Sequence, residues 1–409
     1  MRLDEFEPLT EAERAVIDGL GSGHVTVLGD GRLPGESAGE DRRVRASLIR
    51  WLALGAPGDD SVRLHEKGLR IGGALVVSDG QADPVLGDEA TPGLDFEGCT
   101  VANDLLLMAC RFQHAPFLRA ARVQSLFLSG SALPGLVADR TESQGDVFLR
   151  DVRAKGEVRF LGARIGGELS CSGGRFEKEG GRAIRADRLK TWGNVVLDHV
   201  HATGEVRLLG ARIFGNLDCC GARFENQGAG ALSADALEAR GNVFLRDLHT
   251  TGEVRMPGAR ISGNLECDGG RFENAGGKAV TADGARVTGT LFWRTGSHAT
   301  GAIDLTKAEI GSISDDPACW PGPGDLLLNR CHYGAFTGKG VSGAERIRWL
   351  DLQTPEKYGD DFWPQPWEHC AKVLREMGHA EDALQVLIAK EKRQRAARRA
   401  RRRAEVTGT

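Results

Sequence analysis

The chain has 409 residues, with 53 Lys plus Arg against 57 Asp plus Glu and a formal net charge of −4. Glycine supplies 56 residues while aromatics stop at 6% and hydrophobic residues at 41%, the profile of a chain that turns often. Its longest purely apolar run, Leu105 to Cys110, is far below the roughly 18–20 residues that cross a bilayer, so no transmembrane helix is expected.

The N-terminal sequence, MRLDEFEPLTEAER, is acidic and lacks the apolar core of a secretory signal. Nine cysteines without a Cys-x-x-Cys pair fit a reducing compartment better than a disulfide framework or a structural zinc site. A cytoplasmic location is expected, with attachment to the inner face of the membrane as its one variation. Thr10 followed by Glu13 forms a capping box that opens a helix reaching about Leu20. Gly19-Leu20-Gly21-Ser22-Gly23 then follows a helix and precedes an apolar run, the reverse of the strand–loop–helix order of a dinucleotide site, and reads as a helix end and loop. Asp41 to Leu54 carries Val44, Leu48, Ile49 and Leu52 on one stripe and predicts a second helix. Residues 1–60 are thus expected to form a helical cap on the rest of the chain.

A repeat occupies the middle of the chain. Blocks opening at Gly156, Gly204 and Gly252 share the pattern GEVR…GAR, a period of 48 residues made of four 11-residue units and a four-residue insertion, at 178–181, 226–229 and 274–277. Counting the opening glycine as zero, apolar residues fall at offsets 2, 4, 7 and 9, as Val158, Phe160, Ala163 and Ile165. A spacing of two within each pair is a strand period, and pairs that recur every five or six residues predict very short strands turning corners. This is a solenoid of about 22 residues per turn over 61–335, with the insertions as loops stacked along one edge. The cysteines Cys171, Cys219 and Cys267, with Cys99 and Cys110, are expected to point inward.

The pairs Ala163-Arg164-Ile165 and Ala222-Arg223-Phe224 resemble the repeats of pentapeptide-repeat proteins, a small residue followed two positions later by Leu or Phe. The resemblance implies an all-β fold, a right-handed quadrilateral β-helix with helical caps at both ends. Residues 336–409 read as a helical hairpin: Trp367 to Met377, a turn at Gly378, then Ala380 to about Arg403. The run Ala344 to Leu350, Gln365-Pro366-Trp367-Glu368 and Gly378 through Ala383 resemble a family of actinobacterial solenoid proteins often labelled "membrane-associated oxidoreductase". That label implies redox chemistry, but no phosphate loop, nucleophile elbow or His-Glu-x-x-His stands in the sequence. No catalytic residue, cofactor or metal ligand set is assigned. Cys220, the group Cys319, Cys331 and His332, and the neighbours Asp198 and His199 stand as candidates for a reactive or metal-binding cluster. His201 and His249 occupy the outward offset of Arg153 and read as a surface column.

The surface signal is arginine. Arg164, Arg212 and Arg260 form one column, with Arg159, Arg207 and Arg255 beside it, and Arg175, Arg223 and Arg271 form another. Two readings stand together: a face that binds an anionic partner, and ion pairs interleaved with repeated glutamates on a solvated face. The 22 cations against 20 carboxylates between 141 and 300 speak against a mimic of DNA, the topoisomerase-binding role that the pentapeptide-repeat resemblance implies. The second signal is the tail: Lys390, Lys392, Arg393, Arg395, Arg398, Arg399, Arg401, Arg402 and Arg403 are nine cations within 14 residues. They predict attraction to an anionic membrane or to nucleic acid, or simply a solvated helix end. The apolar residues Leu384, Leu387 and Ile388 are expected to pack on Trp367, Val373 and Leu374, leaving adhesion without insertion. The favoured function is a scaffold that binds a protein partner through its long faces.

Overall fold

A computed structural model describes residues 2–78 and 93–407, which form two compact units, Met1–Asp218 and Cys219–Thr409. Both are built from short parallel strands stacked as the coils of a β-solenoid, about 23 residues to the turn, with a few helices at the ends. This agrees with the pentapeptide-repeat resemblance at the level of the fold.

In the first unit, the turn from Arg153 shows the motif. Strands Arg153–Ala154, Val158–Arg159, Arg164–Ile165 and Leu169–Ser170 follow one another. Each lies parallel to a strand of the next turn, with Arg153 beside Arg175, Val158 beside Ile184, Arg164 beside Lys190 and Leu169 beside Val195. Four two-residue strands per turn give the coil four sides. Alternation along each strand sends Val158, Phe160, Ile165 and Leu169 inward and the arginines outward. Between Glu142 and Arg212, partners lie 22 residues apart where no insertion intervenes, as Glu142 and Arg164, and 26 where one does, as Arg164 and Lys190. One 48-residue block is therefore two turns.

The two-turn period has a packing origin. Phe176 stands between Ala154 and Ala202 on adjacent rungs. In the second unit Phe224 lies beside Thr250, Thr250 beside Phe272, and Phe272 beside Ala299. Alternating a ring with a small side chain fills the interior to an even density, and the sequence repeats only when the ring returns.

The first unit opens with helix α1, Glu11–Gly19, whose capping box is complete: Thr10 Oγ1 accepts from the Glu13 amide at 3.1 Å and Glu13 Oε2 accepts from the Thr10 amide at 3.0 Å. Helix α2 is shorter than its apolar stripe suggests. It spans Ala46–Ala53, because Arg43–Arg45 is drawn out as a strand beside Leu75–Val77. Thr26–Val27 likewise pairs with Ile71 and Gly72, so residues 1–60 contribute two coil strands as well as helices. In the second unit the coil ends on strand His332–Phe336, and helices α3 (Gly343–Leu350), α4 (Pro364–Glu376) and α5 (Ala380–Thr407) follow.

The insertions differ from the expected independent loops. Residues 178–181 bulge out of a continuous strand, Arg175–Arg185, whose two halves both pair with the next turn: Glu177 lies beside Thr203 and Arg182 beside Glu205, leaving Gly204 alone opposite the four extra residues. In the second unit the bulge closes on itself through Asn226 and Asn274, whose Nδ2 groups donate to the carbonyls of Gly230 and Lys278 at 2.7 Å. Gly252 beneath the first of these has φ +130°, and a Cβ there would meet the carbonyls of Asn226 and Ala229 at 2.6 and 2.7 Å. Cys99 also departs from expectation. It is half-buried with its thiol toward Glu97 and Arg50, because Phe96 and Val101 take the inward places of that turn.

Candidate binding surfaces

The first arginine column is threaded with carboxylates. Arg164 Nη1 donates to Glu142 Oε1 at 3.0 Å, and Arg122 reaches the other oxygen at 3.4 Å. Arg260 lies 3.5 Å from Glu238, and Arg212 stands in register beside Lys190. Its neighbour is neutralised more deeply: Arg159 pairs with the buried Asp139, Arg207 Nε donates to both oxygens of the buried Asp187 at 3.0 Å, and Arg255 lies 2.9 Å from Asp235. The other column, on a separate sheet, alternates with histidine. Arg175 lies beside His201, and in the second unit Arg223, His249, Arg271 and His298 follow rung by rung. Arg223 reaches Glu225 at 3.4 Å and His249 Nδ1 at 3.1 Å. Within each unit the arginines singled out in the sequence are divided between two separate sheets.

Cys110, Cys171, Cys219, Cys267, Cys319, Cys331 and Cys370 are buried. Desolvation pushes the thiols of Cys110, Cys171, Cys331 and Cys370 up to about 12, so they fill space as small apolar groups. Among the described residues no three His, Cys, Asp or Glu side chains are grouped to hold a metal ion, Cys319, Cys331 and His332 included. Cys220 is half-buried, 3.5 Å from Arg246 Nε. Asp198 sits between Ser172, which donates to it, and His199, whose Nδ1 is 3.2 Å away at an exposed corner. The imidazole is therefore not placed on a hydroxyl as a general base requires.

One groove in the first unit includes Arg175 of the second column, and its other lining residues are not among the candidate binding residues of the sequence. It has a volume of about 620 Å³ and runs over five rungs, with Leu75, Arg111, Ala132, Arg153 and Arg175 in register along one line. Ala132 and Pro134 make its floor, because both are short between longer neighbours. Arg111 forms one wall, held by the Pro34 carbonyl at 2.7 Å and by Glu36 at 3.5 Å. Arg153, Lys155 and Arg175 form the other, with Glu177 at its edge. The signal for it in the sequence is the loss of the Arg-bearing repeat at Ala132 to Pro134.

In the second unit, α5 packs on α3 and α4 and sorts eight of the nine tail cations by face. Lys390 donates to Glu368 at 3.0 Å, Arg393 grips Asp351 through two bonds of 2.9 and 2.7 Å, and Arg401 reaches Asp361 at 3.1 Å. These three lie on the packed side, behind the buried Ala383 and Val386. The opposite side corrects the expected packing. Leu384 is 58% exposed and Ile388 48%, since the stripe that fits the hairpin runs through Ala383, Val386 and Lys390. Steps of three and four residues put Lys392, Arg395, Arg399 and Arg402 on the face of Leu384 and Ile388, all exposed, with Arg398 flanking. Arg395 lies 3.9 Å from Glu391. No described helix is long and apolar enough to cross a membrane. No known protein family, curated protein or solved structure matches this chain.

Proposed function

We propose that this protein is a β-solenoid binding scaffold that attaches to anionic lipid surfaces through the outer face of α5. The observation that carries the reading is the sorting of the tail. Lys390, Arg393 and Arg401 are spent on carboxylates of the hairpin, while Lys392, Arg395, Arg399 and Arg402 share a solvent face with exposed Leu384 and Ile388. A cation near an anionic membrane surface contributes about 1 kcal/mol, and two adjacent apolar side chains add burial in the headgroup boundary. Nucleic acid would use the cations and leave Leu384 and Ile388 exposed, which favours lipid.

The test is cosedimentation of the full chain with vesicles of phosphatidylglycerol and of phosphatidylcholine. Binding is expected to the anionic vesicles alone, to fall steeply as salt rises, and to keep a residual at physiological salt that Leu384→Ser with Ile388→Ser removes. Reversing Lys392, Arg395 and Arg399 to Glu should abolish it. Salt-sensitive binding to duplex DNA without binding to lipid would overturn the reading, and a flavin or nicotinamide absorbance in the purified protein would replace it with the oxidoreductase one.

A further inference from the structure

The groove of the first unit carries an uncompensated charge. Arg153 and Arg175 stand directly opposite each other on adjacent rungs, about 4.8 Å apart along the coil, and Lys155 projects on the same side two residues from Arg153. Like charges placed opposite one another on a sheet repel. Elsewhere in this unit the ladder arginines solve this with carboxylates, Asp139 for Arg159, Asp187 for Arg185 and Arg207, and Glu142 for Arg122 and Arg164. Arg153, Lys155 and Arg175 make no hydrogen bond or ion pair with any described side chain, so the wall they form presents three donors to whatever enters.

The rest of the lining narrows the class of ligand. The floor of Ala132 and Pro134 is apolar and small. Across it, Arg111 is already oriented by Pro34 and Glu36, so the groove is formed before a ligand arrives. Glu36 and Glu177 at its edges are acceptors only, suited to hydroxyl groups. Guanidinium forks match the oxygens of a phosphate, and a volume of about 620 Å³ lies within the range of small-molecule sites. We propose that this groove binds a phosphate ester of a hydroxylated body, of sugar-phosphate to nucleotide size, with the phosphate on Arg153, Lys155 and Arg175 and the hydroxyls toward Glu36 and Glu177.

Titration calorimetry of the full chain with inorganic phosphate, ribose, ribose 5-phosphate and adenosine monophosphate tests this. The two esters are expected to bind, phosphate alone more weakly and ribose not at all. The double variant Arg153→Gln, Arg175→Gln should weaken ester binding at least about tenfold, the loss of charge-assisted hydrogen bonds, while Arg164→Gln on the neutralised column leaves it unchanged. Removing two repelling charges should keep or raise the melting temperature of the ligand-free protein. Esters that give no heat at millimolar concentration, or that bind the double variant as tightly as the parent, overturn the proposal. A double variant that melts lower also counts against it, because the fold itself would then be using the two cations.

Discussion

Two edge strands of this protein, Arg43–Arg45 in the first unit and His332–Phe336 in the second, are finished by helices, and by different chemistry. At the first, Thr10 of the α1 cap donates to the Arg43 carbonyl at 2.7 Å, and Glu13 accepts from the Arg45 amide at 2.9 Å while its carboxylate grips the Arg45 side chain at 2.8 and 2.7 Å. At the second, α4 supplies neutral groups: Gln365 bridges the Arg330 amide and the Cys331 carbonyl, His369 Nε2 lies 2.9 Å from the Tyr333 amide, and Met377 Sδ is 3.4 Å from the Phe336 amide. Beneath that edge the charge is buried instead. Arg346 and Asp315, with 0% and 4% of their side chains exposed, share two bonds of 2.8 and 2.7 Å. The Phe336 ring lies 3.6 Å from the guanidinium, and the Trp320 indole donates to Asp315 at 2.8 Å. An unpaired strand edge must be satisfied or covered. One end does it with a partly solvated ion pair at the edge itself, the other with neutral side chains at the edge and an ion pair in the core.

The largest effect should come from that buried pair. Asp315→Asn or Arg346→Met leaves one charge buried without its partner, at a cost of about 3–5 kcal/mol, read in urea unfolding. The double replacement Asp315→Leu, Arg346→Met should recover much of the loss, since two apolar groups fit among Phe336, Trp349 and Trp320. A single variant within about 1 kcal/mol of the parent would remove the contrast between the ends.

A smaller loss is expected at the first end. Glu13→Gln keeps the shape of the cap but gives up the charge that Arg45 binds, costing about 1–3 kcal/mol. It should loosen the amides of α1 and Arg43–Arg45 in hydrogen exchange and leave those of His332–Phe336 untouched.

The finest separation is by pH. Burial lowers the His369 pKa from its ordinary value of 6.5, its neighbours being His332, Lys372 and Glu376. A depressed pKa in the folded state means that the stability is whole above about 6.5 and is lost as pH falls below it. Glu13 is also held below its ordinary 4.5: burial opposes this, but the hydrogen bonds from Arg45 and Thr10 outweigh it. Its contribution is whole above about 4.5 and is lost only on further acidification. Exchange of the Tyr333 amide should therefore quicken on acidification before that of the Arg45 amide. Simultaneous loss would mean that the two ends open as one.

Much of the coil was legible in the sequence. The offsets 2, 4, 7 and 9 and the α1 capping box depend on neighbours within a few residues, and Val158, Phe160, Ile165 and Phe176 are inward as those offsets require. Strand pairing then follows, because each turn lays the same offsets over the last. The period could not show which partner a side chain meets. Asp187 beside Arg207, Glu142 between Arg122 and Arg164, and the lack of a described carboxylate paired with Arg153 or Arg175 depend on rungs 20 to 22 residues apart.

The ends and the tail depended on tertiary structure for the same reason. Gln365 and His369 find an edge strand more than 30 residues away, and no local pattern marks them as its caps. Leu384, Leu387 and Ile388 look like one apolar stripe, yet α4 and α3 take the face of Ala383 and Val386 and leave Leu384 and Ile388 in solvent. Local periodicity determined the coil, since a strand's inward residues are set by alternation along the chain. The tertiary structure alone decided which charges are neutralised, which edges are covered and which apolar residues stay exposed, because those depend on the contacts that stacking and docking create.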